Sequence, residues 1–464
     1  MRVLEYRKGL VLIGVLWVVA VLMVIAVATG RKSRLDSKVC VARTQQVRCK
    51  WASRAGIEKA IGVLNEDEDF GTDDSLVDEW SDNAADFNDV ALGDCRFTVR
   101  VIDEASKLNV NTVTKEQLMS LEYMTEEIAD AIIDWRDKDD NAGAGGAEEG
   151  YYQNLPFGYS IRNGPFGTIR ELLRVKGVTQ ELLYGEDTNF NGKLDFNERD
   201  GEDSWPADNG DDKLDKGWIA YLSCYSSGRN VDAYGNQKVN INKAQEGQLR
   251  RSLNISRGQA KWIVDNRKKD GYKSIADLIS DNSPKESGGN DSSNSSSNSN
   301  SNNNSGRNSR NDRVQAEPLD METFRRIADQ ITTRDEKQIP GLVNINTASR
   351  EVLKALLGGD KSAESLADDI IAYRGGLGMG MSSIADVLDV RSMKVDKFKK
   401  IANLITVGSD VFTVRCLAVA ESEQIVKTTL RTEAVVDRSA EPVSILYWYQ
   451  GADPYFASYA RSGQ

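Results

Sequence analysis

From Leu10 to Thr29 no position is charged and nearly every one is apolar, so no polar face interrupts the stretch. A run of about twenty such residues is long enough to cross hydrocarbon as a helix. Arg7 and Lys8 precede it, and Arg31 and Lys32 follow. Farther on, apolar positions return at helical spacing, first Val47, Trp51 and Ala55, then Ile57, Ile61 and Leu64. This predicts an amphipathic continuation of the same helix. With no proline before Pro156, the rod over 10–64 would reach roughly 80 Å.

The pattern then changes. Residues 65–89 hold eleven acids and no base, which predicts a loop. "CRFTVRVIDE" (95–104) alternates as a strand does, and its companions lie far along the chain: "VFTVRCLAVA" (411–420), "IVKTTLRTEAVVD" (425–437) and "SILYWYQ" (444–450). The stretch between them is mainly of helical pattern. The expected fold is α+β, with one antiparallel sheet beside the long helix and a large inserted helical domain.

That insertion contains a repeat. "NVNTVTKEQLMSL", "NINKAQEGQLRRSL" and "NINTASREVLKAL" open three similar units. In each, an asparagine (Asn111, Asn242, Asn346) precedes a leucine (Leu118, Leu249, Leu353), and an arginine (Arg136, Arg267, Arg374) closes the unit. "GTIRELL", "KSIADLI" and "SSIADVL" follow as further helix starts. The asparagines are expected to cap helices whose leucines enter the core. The units resemble helix-hairpin-helix or SAM-like modules, which makes the insertion all-α. The Ser/Asn tract over 281–313 has too little apolar surface to offset chain entropy and is expected to be disordered.

Composition narrows the chemistry. Net charge is −12, and there is no histidine among the 464 residues. Triads built on histidine and most zinc-protease helices are thereby excluded. An acidic chain suits divalent cations or basic partners better than nucleic acid. The five cysteines show no C-x-x-C spacing, so neither a zinc site nor a disulfide framework is indicated. Cys40 and Cys49 would fall on opposite faces of one helix and cannot bridge within it.

"DTNFNGKLDFNE" (187–198) fits the calcium-loop pattern. Asp187, Asn189 and Asn191 alternate so that their oxygens converge, and Gly192 permits the sharp turn. Lys193 offers its carbonyl, Asp195 acts through water, and Glu198 closes the shell. "ADNGDDKLD" (207–215) repeats the phrase in damaged form: Ala207 and Asp212 depart from it, while Asn209, Asp211 and Asp215 remain as a possible second site. A third acidic group gathers Asp134, Asp137, Asp139, Asp140, Glu148 and Glu149. Such a run is a polar helix end or an extra cation site more often than a hydrolase centre.

With these residues assembled, the chain resembles the type II secretion minor pseudopilin K family. The likeness rests on "RKGLVLIG", "DSLVDEW", "DEASKLNVN", "DWRDKDD", "GAEEGYY", "IRELLRVKGVT" and "VNINTAS". The resemblance implies a pilin-like fold and a non-enzymatic assembly role at the tip of a pseudopilus. It implies cleavage by prepilin peptidase after Gly9, with N-methylation of the new terminus Leu10. Implied partners are minor pseudopilins I and J and the major pseudopilin, and the implied cofactor is calcium. The implied location is the bacterial inner membrane, spanned once, with the body in the periplasm. The organisation becomes leader 1–9, membrane and pilin helix 10–64, first part of the β-domain 65–106, inserted domain 107–408, and final strands 409–464. Most pilins carry glutamate five residues past the cleavage point; here Gly14 stands there. A subunit without that carboxylate cannot neutralise a neighbour's buried terminal amine, which suits a capping position. The rival reading is a membrane-tethered DNA receptor. Its glycine-rich phosphate-binding hairpin is missing from "EYMTEE", "NISRGQ" and "GGDKSAES", so no nucleic-acid partner is expected.

Overall fold

The long apolar run and the amphipathic stretch behind it form one unbroken helix, α1 (Tyr6–Glu68, 63 residues). The computed structural model describes residues 6–68, 73–187, 194–201, 208–279, 315–422 and 425–451; the Ser/Asn tract lies outside them. Among the described residues, α1 is the one helix long and apolar enough to cross a membrane, with a mean hydropathy of 3.1 in its apolar window.

The far half of α1 rests on a five-stranded antiparallel sheet, and the predicted stripe holds only in its later part, where Ile57 and Leu64 are buried and Ile61 packs against them. Val47 and Trp51 point outward, 55% and 67% exposed. The buried positions are Cys49, Ala52, Ser53, Ile57, Ala60 and Leu64. The small residues explain the choice. A Cβ on Gly56 would sit 2.7 Å from Cys416 Sγ and 3.0 Å from Phe97 and Val99, so this face lets helix and sheet approach closely, where Trp51 would hold them apart.

The sheet has strands β1 (Val90–Leu92), β2 (Cys95–Asp103), β3 (Val411–Ser422), β4 (Ile425–Asp437) and β5 (Ser444–Gly451), in that spatial order. β2 and β3 pair from Cys95 opposite Ala420 to Asp103 opposite Phe412. The two β regions therefore do join across the insertion. The acidic stretch over 65–89 is not wholly loop: Ala84–Phe87 is a short helix, capped by the Asn83 side chain and burying Phe87. β1 then adds an edge strand that the charge run had hidden.

The insertion has its own apolar core, spanning Leu108 to Val407. Its three units share one geometry that differs from the expectation. Leu118, Leu249 and Leu353 are fully buried, yet the asparagines are not helix caps. Thr114 and Ser349 cap the helices after Asn111 and Asn346, and no side chain caps the helix at Gln245. Each asparagine amide instead makes a two-way bridge to a residue ahead of the next short helix. Asn111 accepts from Phe166 N (2.7 Å) and donates to its carbonyl (3.1 Å). Asn242 does the same with Tyr272 (2.7 and 3.0 Å) and Asn346 with Met381 (2.8 and 2.9 Å). The arginines close each unit by donating to the carbonyls of Val110, Ile241 and Ile345.

Nor is the insertion all-α. Each unit opens with a two-residue strand (Leu108–Asn109, Val239–Asn240, Val343–Asn344) that pairs in parallel with one closing it (Leu222–Ser223, Ile331–Thr332, Ile405–Thr406). Strands this short carry no readable alternation. The segments "GTIRELL", "KSIADLI" and "SSIADVL" form 3-10 turns at Ile169–Arg174, Ile275–Leu278 and Ile384–Asp389.

Insertion and sheet are joined by buried polar groups. The Arg438 guanidinium grips Asp74 with two bonds of 2.7 Å and lies 4.9 Å over the Phe412 ring. Asp74 also accepts from Ser409 N (2.6 Å), and its carbonyl accepts from Asn344 of the third unit (3.1 Å). Asn344 and Thr347 both donate to Asp103 at the end of β2. Glu104 pairs with Lys107 (2.9 Å) and accepts from Thr413 (2.7 Å) and Ser223.

Candidate metal centres

Asp134 and Asp137 stand three apart at the end of the helix Glu126–Arg136, and Glu148 holds the N-cap position of the next helix, Glu149–Gln153, without a side-chain capping bond. The hairpin "NAGAGGA" between them folds back over the first helix. Gly143 N donates to both oxygens of Asp134 (3.2 and 3.1 Å), Gly145 N to Asp130 (3.2 Å), and Lys176 Nζ to the carbonyls of Gly145 and Gly146 (2.9 and 3.2 Å). A Cβ on Gly146 would fall 1.7 Å from Asp134 Oδ2. Only glycine permits that approach.

The result is a tight group: carboxylate oxygens of Asp134, Asp137 and Glu148 lie within 4.8 Å of one another. Glu148 is 8% exposed, and neither of its oxygens has a hydrogen-bond partner among the described residues. Burial, with Asp134 and Asp137 beside it, pushes its carboxyl up to about 7. Burial likewise raises Asp134, against the donors Gly143 N and Ala147 N. Three converging carboxylates, with both oxygens of Glu148 unpartnered among the described residues, are what a hard divalent cation requires. Asp139, Asp140 and Glu149 are drawn elsewhere: Asp139 accepts from Asn141 N, Asp140 from Asn163, and Glu149 from Ile161 N. Among the described residues, the other close carboxylate group, Asp67, Asp74 and Asp78, already has a guanidinium, because Arg438 sits on Asp74 and Asp67.

Of the calcium loop read from sequence, Asn189, Asn191 and Lys193 lie outside the described residues. Asp187 (7% exposed) and Glu198 (1%) are buried. Glu198 and Asp195 bond each other's backbone across the turn Phe196–Glu198, with Asp195 N 2.9 Å from Glu198 Oε2.

The damaged second loop still forms a tight turn. Asp212 takes φ +59°, the conformation glycine supplies at that place. Asn209 Oδ1 accepts from Asp211 N, and Asp211 Oδ1 from Lys213 N, both at 2.9 Å. Its side chains are committed, however: Asp215 accepts from Asn209 Nδ2 (3.0 Å) and Tyr123 (3.3 Å). Glu186, unnoticed in the sequence, organises this loop by accepting from Asn209 N and Asp215 N (3.3 and 2.9 Å). The two loops spring from one bridge, Gly185 opposite Lys216.

No curated protein sequence matches the chain significantly. One solved structure, the GspK-GspI-GspJ complex from the enterotoxigenic Escherichia coli Type 2 Secretion System, contains a similar chain. It is 13% identical, with 89% of this chain and 99% of that chain covered and a TM-score of 0.48. Two family models match the sequence, both described as "Type II secretion system (T2SS), protein K". One covers residues 103–184, including the carboxylate group, and the other 343–408, including the third unit. Two separate segments of the chain, one following the first sheet segment and one preceding the last, match the type II secretion system protein K family.

Proposed function

We propose that the protein is a minor pseudopilin, made with a leader that ends at Gly9 and held by α1 in the inner membrane with its body in the periplasm. The observation that carries this reading is the division of α1. Val11 to Val27 contribute a run of exposed apolar side chains, while the same helix beyond Gln45 is core to the sheet. A side chain such as Trp17, 69% exposed, gains by lying in lipid or among sister helices. Leu35, Val39, Val47 and Trp51 extend an apolar outer stripe along the rod, which suits packing against neighbouring rods. The reading predicts that protein coexpressed with its peptidase and extracted from membranes starts at Leu10. N-terminal sequencing that finds Met1, or a residue beyond Thr29, removes it.

The protein would act at the fibre tip, with minor pseudopilins I and J as partners and the major pseudopilin below. Gly14 in place of the usual carboxylate and the bulk of the insertion both support an end position. Copurification with those subunits tests it. The role is assembly rather than catalysis, and no observation favours DNA binding.

Calcium would hold the insertion together. Asp134, Asp137 and Glu148 fit the ion by their converging oxygens, those of Glu148 having no other partner among the described residues, and Asp187 with Glu198 would serve the loop over 187–198. Asp187→Ala is expected to remove part of the calcium-induced rise in melting temperature. An unchanged rise in that variant eliminates the loop as a site.

A further inference from the structure

Cys49 on α1 and Cys95 at the start of β2 meet in the core between helix and sheet. Both are buried, at 0% and 3% exposure, and both are thiols in this structure. Cys49 Sγ lies 3.5 Å from the Thr428 carbonyl, and the Cys95 thiol is its neighbour in the same buried cluster. The sheet register explains the meeting: Thr428 is opposite Ala420, and Ala420 is opposite Cys95. Small residues on both sides bring the backbones close: Ala52, Ala60, Ala418, Ala420 and Ala434 share one cluster, and Gly56 lies against Cys416, Phe97 and Val99.

We propose that Cys49 and Cys95 form an intramolecular disulfide that staples α1 to the sheet. Cys416 is not a competitor. It stands four positions from Ala420 along β3, roughly 13 Å at strand spacing, and its thiol faces Ser53 and Gly56 instead. Cys224 belongs to the insertion's core and Cys40 is exposed. In the reaction, one thiolate attacks a disulfide oxidant of the periplasm, and the other thiolate resolves the mixed disulfide. The pair loses two protons and two electrons, and the oxidant leaves as two thiols. Burial and the neighbouring thiol push Cys49 up to about 11, so in the finished fold little reactive thiolate is present. The bond therefore forms while the helix settles on the sheet. Once closed, it passes tension along α1 directly to β2.

The inference rests on the periplasmic placement of the body, so the experiment reads that placement separately. Cells making the full chain are treated with a membrane-impermeant maleimide, which should label exposed Cys40 from the periplasmic side. Extracted protein is then acid-quenched, alkylated without reductant, digested and weighed. The expected product is a Cys49–Cys95 linked peptide, two hydrogens lighter than the two thiol peptides, with Cys224 and Cys416 alkylated. Reduction should lower the melting temperature by roughly 5 °C, and Cys95→Ser should melt like the reduced parent. Cys49 and Cys95 both alkylated in protein whose Cys40 was labelled would overturn the staple alone. Cys40 unlabelled, with both thiols alkylated, would overturn the placement and the staple together.

Discussion

Replacing Arg438 with methionine is expected to destabilise the protein by about 3–5 kcal/mol. The Arg438 side chain is 1% exposed and that of Asp74 is 0%. Removing the guanidinium strands the carboxylate among groups that cannot hydrate it. Burial already pushes Asp74 upward, with Arg438 opposing. The damage would spread, because Asp74 also holds Ser409 N, and the same short segment reaches Asn344 and, through it, Asp103. Thermal melting of detergent-extracted protein checks this. The double change Asp74→Asn with Arg438→Met should cost clearly less than the sum of the two single changes, since neither charge is then left alone. Additive losses would mean that the pair is not coupled.

The second large effect concerns Glu148. Calcium at about a hundred times this site's dissociation constant would stabilise the fold by about 2.7 kcal/mol, and Glu148→Gln should remove that share of the gain while any share from the 187–198 loop remains. In chelator the same change should act in the opposite direction at pH 8, raising the melting temperature because one of three crowded negative charges is gone. The pH response follows from the same group. Its carboxyl is raised from 4.5 to about 7 in the folded chain, so the folded state binds the extra proton. The associated stability is fully present below about 4.5 and disappears as pH rises through about 7. In chelator, melting should therefore fall between pH 5.5 and 8, while calcium affinity should rise over the same interval as the ligand deprotonates. Melting in chelator that is flat with pH in the parent, or a calcium response in Glu148→Gln as large as the parent's, would refute the site.

The calcium phrase at 187–198 is conspicuous in the sequence because an alternating ligand pattern is local. The carboxylate group at Asp134 is less so. Its acids are visible, but which three converge depends on a glycine hairpin folding over a helix. The sequence offered one signal, the run of four glycines beside them (Gly143, Gly145, Gly146, Gly150). Close backbone approach is what such glycines permit. Glu186 gave no signal, because its task is to accept backbone N–H groups from residues more than twenty positions away.

The hydrophobic pattern alone determined that a membrane-length helix leads the chain, that strands at both ends belong together, and that three similar units fill the middle. Each follows from a period or a repeated phrase within a few neighbours. Tertiary structure decided which face of α1 is buried, because close approach over Gly56 outweighs the larger apolar area of Trp51. It decided that Asn111, Asn242 and Asn346 bridge rather than cap, since their partners lie 30 or more residues on. It also set Cys49 beside Cys95 and Arg438 upon Asp74. Those pairings depend on sheet register and packing distance, which no local stretch of sequence encodes.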